Sequence, residues 1–142
     1  MFDEATGIEN TEILARINRI PRYKRKQFIH DVTEFSGLKS YMKMPVRTFS
    51  AGMRLRLAFA IAILVEAEVL VLDEMIAVAD DEFRTVMMQS IKDFIQQKKA
   101  VVAAFHNQPM MYHLCNKIFY LKNGLLVNQK GINNESVYNP SF

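Results

Sequence analysis

Nine consecutive apolar residues, Leu57 to Val65, follow directly on a polar, small-residue approach: Thr48-Phe49-Ser50-Ala51-Gly52-Met53-Arg54-Leu55-Arg56. Such a run predicts a helix buried along its length, because an amphipathic surface helix would interrupt it with polar residues. Ser50 is a good N-cap, since its hydroxyl can accept a hydrogen bond from an early unpaired backbone N–H. Ala51 and Gly52 keep side chains out of the way of an approaching ligand. The first-turn amides and the helix dipole then face that ligand, an arrangement that suits a phosphate. The stretch therefore reads as a helix tip offered to an anion and anchored by a buried shaft.

The rest of the chain can supply that burial. Its 142 residues suit a domain with a real core, and half of them are hydrophobic. A net charge of +3 permits a nucleotide, nucleic acid or acidic lipid partner without selecting one. The single cysteine, Cys115, excludes an internal disulfide and fits a reducing cytosol. Met1 to Asn10 is acidic and has no apolar core of a signal peptide. The Leu57–Val65 run is too short to span a bilayer, so a membrane link is expected to pass through a partner.

Thr6-Gly7-Ile8-Glu9 has the Thr-x-x-Glu form of a capping box and predicts a helix from Gly7, with Ile13, Leu14, Ile17 and Ile20 as its apolar stripe. A second helix is expected from about Pro21 to Phe35, stopped by Gly37. Arg22, Lys24, Arg25 and Lys26 crowd its start. They read as a solvated helix face, with an acidic lipid surface or nucleic acid as the binding readings and nucleic acid the weaker of the two. Lys39 to Arg47 reads as a loop. Val69-Leu70-Val71-Leu72 predicts a fully buried parallel strand ending in Asp73-Glu74. A helix from about Glu82 to Gln97 carries Phe83, Val86, Met87, Ile91, Phe94 and Ile95 at core spacing. Ala100 to Phe105 predicts a second buried strand, completing a βαβ unit of right-handed crossover. His106 follows at its carboxyl end, the sheet edge at which open α/β sheets bind ligands. Lys117–Lys122 and Leu125–Gln129, around Asn123-Gly124, predict a hairpin. Asn133 to Phe142 reads as a polar tail.

Phe49-Ser50-Ala51-Gly52-Met53 resembles the signature motif of ABC-type ATPases, usually Leu-Ser-Gly-Gly-Gln. The Met, with Arg-x-Arg-Leu-Ala-Phe-Ala after it, is similar to the ATP-binding subunits of polysaccharide exporters that carry O-antigen, capsule or teichoic-acid chains. Thr6, Gly7, Glu9 and Asn10 match the opening of that branch's helical subdomain. Four apolar residues before Asp73-Glu74 resemble Walker B, Ala77 to Asp80 the D-loop, and His106 the switch histidine, while Met75 to Val78 again resembles the exporter branch. The resemblance implies an α/β fold: a partial P-loop NTPase (ABC ATPase-like) domain, with a helical subdomain, a parallel-sheet βαβ core and a C-terminal β-hairpin. The implied divisions are a helical subdomain at 1–48, an α/β core at 49–131 and a polar tail at 132–142.

The resemblance implies ATP and Mg²⁺ as cofactors and assigns roles residue by residue. Ser50, Ala51, Gly52 and Met53 would serve the γ-phosphate bound by a partner subunit, and Asp80 the dimer interface. Asp73 would hold Mg²⁺, directly or through water. Glu74 would polarise the attacking water, and His106 would contact the γ-phosphate. Plainer readings stand beside these: two solvated acids in a turn for Asp73 and Glu74, N-caps for Asp80 and Asp81, packing residues for His113 and Cys115. Ala51 departs from the usual glycine. A larger departure is the Walker A loop, Gly-x-x-x-x-Gly-Lys-Ser/Thr, which these residues do not contain.

The implied partners are therefore a chain or segment supplying Walker A, a membrane-spanning permease and a second copy, with no nucleic acid. The chain would lie on the inner face of the plasma membrane through the permease. By itself it is expected to bind ATP weakly, to hydrolyse it negligibly, and to expose a raw apolar sheet face. The alternative is a non-catalytic remnant or split half that acts only by pairing with a chain supplying Walker A. A DNA-repair or chromosome-organising ATPase is a third reading, disfavoured because no sustained heptads occur.

Overall fold

Helix α1, Gly7–Ile17, starts where the capping box predicts. The Thr6 hydroxyl accepts from the Glu9 amide at 3.1 Å, and the Glu9 carboxylate accepts from the Thr6 amide at 2.8 Å. In this computed structural model residues 1–73, 79–104 and 115–128 are described. The chain divides into two compact units, Met1–Ala103 and Ala104–Phe142.

Helix α2, Arg22–Ser36, runs from Pro21 to Gly37, whose φ of 68° is the left-handed conformation that glycine adopts at low cost. The segment expected as a loop contains two short 3-10 helices, Lys39–Lys43 and Val46–Thr48. They insert Met42 and Val46 into the core, so apolar anchors tighten what turn chemistry alone would leave open. Helix α3, Ala51–Leu64, packs on α1 and α2. Ala15, Phe28, Val32, Leu38, Met42, Val46, Leu57, Ala60 and Ile61 belong to one buried cluster. No residue from Gly52 to Val65 is exposed, as the unbroken apolar run requires.

The N-terminal segment is laced to the approach to α3. The Val46 amide donates to the Ala5 carbonyl at 2.9 Å, and the Arg47 amide to that of Asp3 at 2.9 Å. Buried Asn10 donates to the carbonyls of Phe2, Ala5 and Thr6 and accepts from the Phe2 amide. These bonds fix the entry to α3 from outside it.

Strand β1, Val69–Asp73, and strand β2, Ala100–Ala104, form a two-stranded parallel sheet, joined through helix α4, Asp81–Gln96. The expectation of fully buried strands fails here. Leu70 and Leu72 are buried, but Val69, Val71 and Val102 are 51%, 69% and 59% exposed. A continuous apolar run implies cover on both faces, and among the described residues only one face has it. The raw apolar face expected from the sequence is the other. Helix α4 buries Phe83, Met87, Ile91 and Phe94 and leaves Val86 and Ile95 partly exposed, a narrower stripe than the spacing suggests.

Phe35 of α2, Phe59 of α3 and Phe83 of α4 form a three-ring cluster with centroids 6.1–6.4 Å apart. The Phe83 ring meets the other two edge-on, the favourable quadrupole geometry. It fixes α4 against the helices of the same unit.

In the second unit, strands β3, Phe119–Lys122, and β4, Leu125–Asn128, pair antiparallel, with Lys122 opposite Leu125 and Phe119 opposite Asn128. Asn123 and Gly124 have φ of 50° and 76°. Two positive φ values are what a two-residue turn needs to match the strand twist.

Candidate functional site

The tip of α3 is capped as predicted. Ser50 has extended backbone, φ −63° and ψ 164°, and its hydroxyl accepts from the Met53 amide at 3.1 Å. First-turn amides have no intrahelical acceptor, and among the described residues those of Ala51 and Gly52 have no other partner, which leaves them for an outside anion. Ser50 and Ala51 are exposed, and Gly52 and Met53 are half-buried. A Cβ built on Gly52 would meet only the Ser50 hydroxyl oxygen, at 3.9 Å. That is ordinary contact, and no positive φ is involved. Among the described residues nothing packed around Gly52 requires glycine there.

Two arginines that sequence reasoning left without roles hold this tip. Arg54 Nη1 donates to the Asp3 carboxylate at 2.8 Å, tying the first turn of α3 to the N-terminal segment. Arg56 Nη2 donates to Asp80 Oδ2 at 2.7 Å, and its guanidinium lies 4.6 Å from the centroid of the Phe83 ring. Asp80 Oδ1 accepts from the Phe83 amide at 2.9 Å and so caps α4. Arg56 thus joins the signature-like helix to the start of α4 through one carboxylate. The Arg56 guanidinium, followed by the Phe83 amide, holds the Asp80 carboxyl below the usual carboxylate range. The available signal was a cation, Arg56, directly before the apolar run and on a helix with no exposed residue beyond its first, where a charge needs a partner.

Asp73 stands exposed at the carboxyl end of β1. Its oxygens suit a hard cation. Mg²⁺ commonly takes one or two carboxylates and completes its shell with water and phosphate, so a lone aspartate at this edge fits it. Among the described residues no group of three or more His, Cys, Asp or Glu side chains could cage a metal. Glu74 and His106 lie outside the described residues, as do Met75 to Val78 and His113. Of the predicted site, Ser50, Ala51, Gly52, Met53, Asp73 and Asp80 are placed. The tip and Asp80 are joined through Arg56. Burial pushes the Cys115 thiol up, away from thiolate reactivity.

Residues 1–77, from the N-terminal segment through α3 and β1, match the family model described as ABC transporter. The chain belongs to the ABC transporter family. Among curated relatives it is 35% identical over 128 residues to the O-antigen export system ATP-binding protein of Yersinia enterocolitica, covering 89% of this chain and 53% of that protein. It is 31% identical over 121 residues to a teichoic acids export ATP-binding protein of Bacillus anthracis, covering 85% of this chain and 22% of that protein. A protein of the same description from Staphylococcus haemolyticus is 32% identical over 121 residues, covering 85% and 46%. The chain spans about half the length of these ABC relatives, or less. Its mixed helices, parallel strand pair and antiparallel hairpin agree with a partial ABC ATPase domain. Among the described residues no helix is long and apolar enough to cross a membrane.

Proposed function

We propose that this chain is the signature-bearing portion of an ATP-hydrolysing subunit that drives polysaccharide export through a separate membrane permease. Ser50, Ala51, Gly52 and Met53 face the γ-phosphate held by a partner subunit's Walker A loop. Asp73 holds Mg²⁺, Glu74 orients and polarises the attacking water, His106 contacts the γ-phosphate, and Asp80 acts at the interface between subunits. ATP lies between two copies, and the assembly sits on the cytoplasmic face of the membrane by way of the permease. The observation that carries this reading is Gly52: a helix-tip glycine where an added Cβ would meet only the Ser50 hydroxyl oxygen, at 3.9 Å, beside an exposed capping serine. A glycine that internal packing does not need is explained by close approach of something from outside.

The chemistry separates into parts that can be supplied in trans. These residues provide the anion-facing tip, a metal ligand and a base, and they lack the lysine-bearing loop that wraps the β- and γ-phosphates. The 142-residue polypeptide alone should therefore release no phosphate above background. Mixed with a chain carrying a Walker A loop, it should turn over ATP, and Glu74→Gln should cut that turnover roughly 100-fold or more, the contribution of a positioned base. Turnover by the polypeptide alone that survives Glu74→Gln would refute the assignment.

A further inference from the structure

We infer that the end of the α1–α2 hairpin is a docking surface for an anionic lipid bilayer. Between residues 16 and 26 stand Arg16, Arg19, Arg22, Lys24, Arg25 and Lys26, with no acid among them. The chain has 18 Lys and Arg in all, so the 12 elsewhere face 15 acids. The positive charge of the molecule is concentrated at this one end.

Two of the six cations are engaged internally. Arg25 Nε donates to the Ile20 carbonyl at 2.9 Å, and both Arg16 and Arg25 reach Glu12. Arg19, Arg22, Lys24 and Lys26 form no ion pair among the described residues. Beside them Tyr23 is 81% exposed and Ile17 63%. A ring with a polar tip and an aliphatic side chain among unpaired cations are the components of an interfacial anchor. Base stacking would call for an aromatic platform rather than one ring.

Two local rules are broken at this place, and both point toward an anion. Arg22, Lys24 and Arg25 occupy the first turn of α2, where the helix dipole disfavours positive charge, and that turn has no acidic residue and no side-chain cap. Arg19 has φ of 58°, a conformation suited to glycine and costly for a residue with a Cβ. The left-handed Arg19 closes α1, its amide donating to the Arg16 carbonyl and the Ile20 amide to that of Ala15, a place where glycine would serve at lower cost, and of the first-turn cations Arg25 is engaged within the fold. Phosphate headgroups meeting this end would offset the dipole conflict at Arg22 and Lys24 and give the Arg19 side chain an anion to face. The adjoining cleft, about 480 Å³, mixes Arg19 and Lys24 with Asp31 and Glu66, so the exposed tip and not the cleft carries the attraction. The surface stands apart from the nucleotide chemistry proposed above and needs neither ATP nor a permease.

The test is co-sedimentation of the 142-residue chain, without nucleotide, with vesicles of phosphatidylcholine alone or mixed with phosphatidylglycerol. Binding should require phosphatidylglycerol and weaken as salt rises. Each cation near an anionic surface strengthens partition about five-fold. Arg19→Gly should therefore lose about five-fold, and a triple Arg22→Gln, Lys24→Gln, Lys26→Gln variant about 50-fold or more. Both variants should melt at or above the parent temperature, since each relieves a local conflict. The triple variant Arg22→Lys, Lys24→Arg, Lys26→Arg keeps the charge and should keep the binding. Equal binding to pure phosphatidylcholine, undiminished binding by the Gln variant, or capture of duplex DNA with vesicles ignored would overturn the inference. Soluble glycerol phosphate that displaces the vesicles at equal phosphate concentration would point to a free-anion site and overturn it too.

Discussion

Gly52 occupies the first turn of α3 with only the Ser50 hydroxyl near the place where a Cβ would go. In a helix glycine is less favourable than alanine by up to about 1 kcal/mol. Gly52→Ala should therefore leave the chain's urea midpoint unchanged or raise it. In the reconstituted ATPase the same methyl intrudes on the partner's phosphate, and turnover should fall. A stability gain with a functional loss separates a ligand-facing glycine from a packing one. Asp80 can be tested by pH. Its carboxyl titrates below the ordinary range because the Arg56 guanidinium, and then the Phe83 amide, favour the charged form. Its contribution to stability is present above the unfolded pKa of an aspartate and lost as pH falls through the depressed folded value. The Glu9 carboxyl behaves alike, lowered by the Thr6 amide and then the Thr6 hydroxyl. Urea midpoints followed downward through the acid range should decline, and Asp80→Asn should flatten that decline. An unchanged acid limb in Asp80→Asn would mean the Arg56–Asp80 pair does not form in solution. Ser50 and Glu9 were legible from sequence because caps act within three residues. The Arg56–Asp80 link spans residues with an intervening strand, and local pattern carries no such information.

At the level of elements, the first turn of α1 lies hard against the first 3-10 helix. A Cβ on Gly7 would come within 2.9 Å of the Met42 sulfur and within 3.1 and 3.2 Å of its backbone Cα and carbonyl oxygen. The sulfur can swing away but the backbone can move only with the 3-10 helix. Gly7→Ala should cost about 1–3 kcal/mol, the usual penalty for overpacking, measured as a lower urea midpoint at unchanged m-value. Gly7 and Gly52 thus predict opposite stability effects for one substitution. Both glycines stood out in the sequence, and only their surroundings tell which is structural. The same holds for the aromatic cluster. Phe59 is fully buried between Phe35 and Phe83, and Phe59→Ala should cost about 3–5 kcal/mol. Helix starts and stops at Thr6, Gly37, Ser50 and Asp80 were readable because each is a local hydrogen-bond or φ requirement. The two 3-10 helices were not, since what shapes them is the distant core that receives Met42 and Val46. Strand burial was misjudged for a related reason. An apolar run reports what a strand is able to bury, and cover depends on chain elsewhere.

Over the whole molecule, the uncovered face is the feature with the largest physical consequence. Val69, Val71 and Val102 present branched apolar side chains on one side of a two-stranded parallel sheet. Parallel sheets are ordinarily covered on both faces, and among the described residues β1 and β2 pair with no further strand, so their outer edges can offer backbone groups to a neighbouring chain. These two properties favour the same outcome: association through the sheet of one copy with that of another, or with a chain able to add strands. Val71 is the best probe, because it is the most exposed of the three and contributes least to this chain's own core. Val71→Thr keeps the β-branched shape while adding a hydroxyl that water can satisfy, so stability should change by only about 0.5 kcal/mol. Sedimentation velocity over a concentration series should show the parent self-associating and the variant shifted toward monomer. Adding the Walker A chain should suppress the parent's self-association by covering the same face. If Val71→Thr and parent sediment alike, the sheet is not the sticky surface, and the exposed leucines of the β3–β4 hairpin, Leu121, Leu125 and Leu126, become the residues to change.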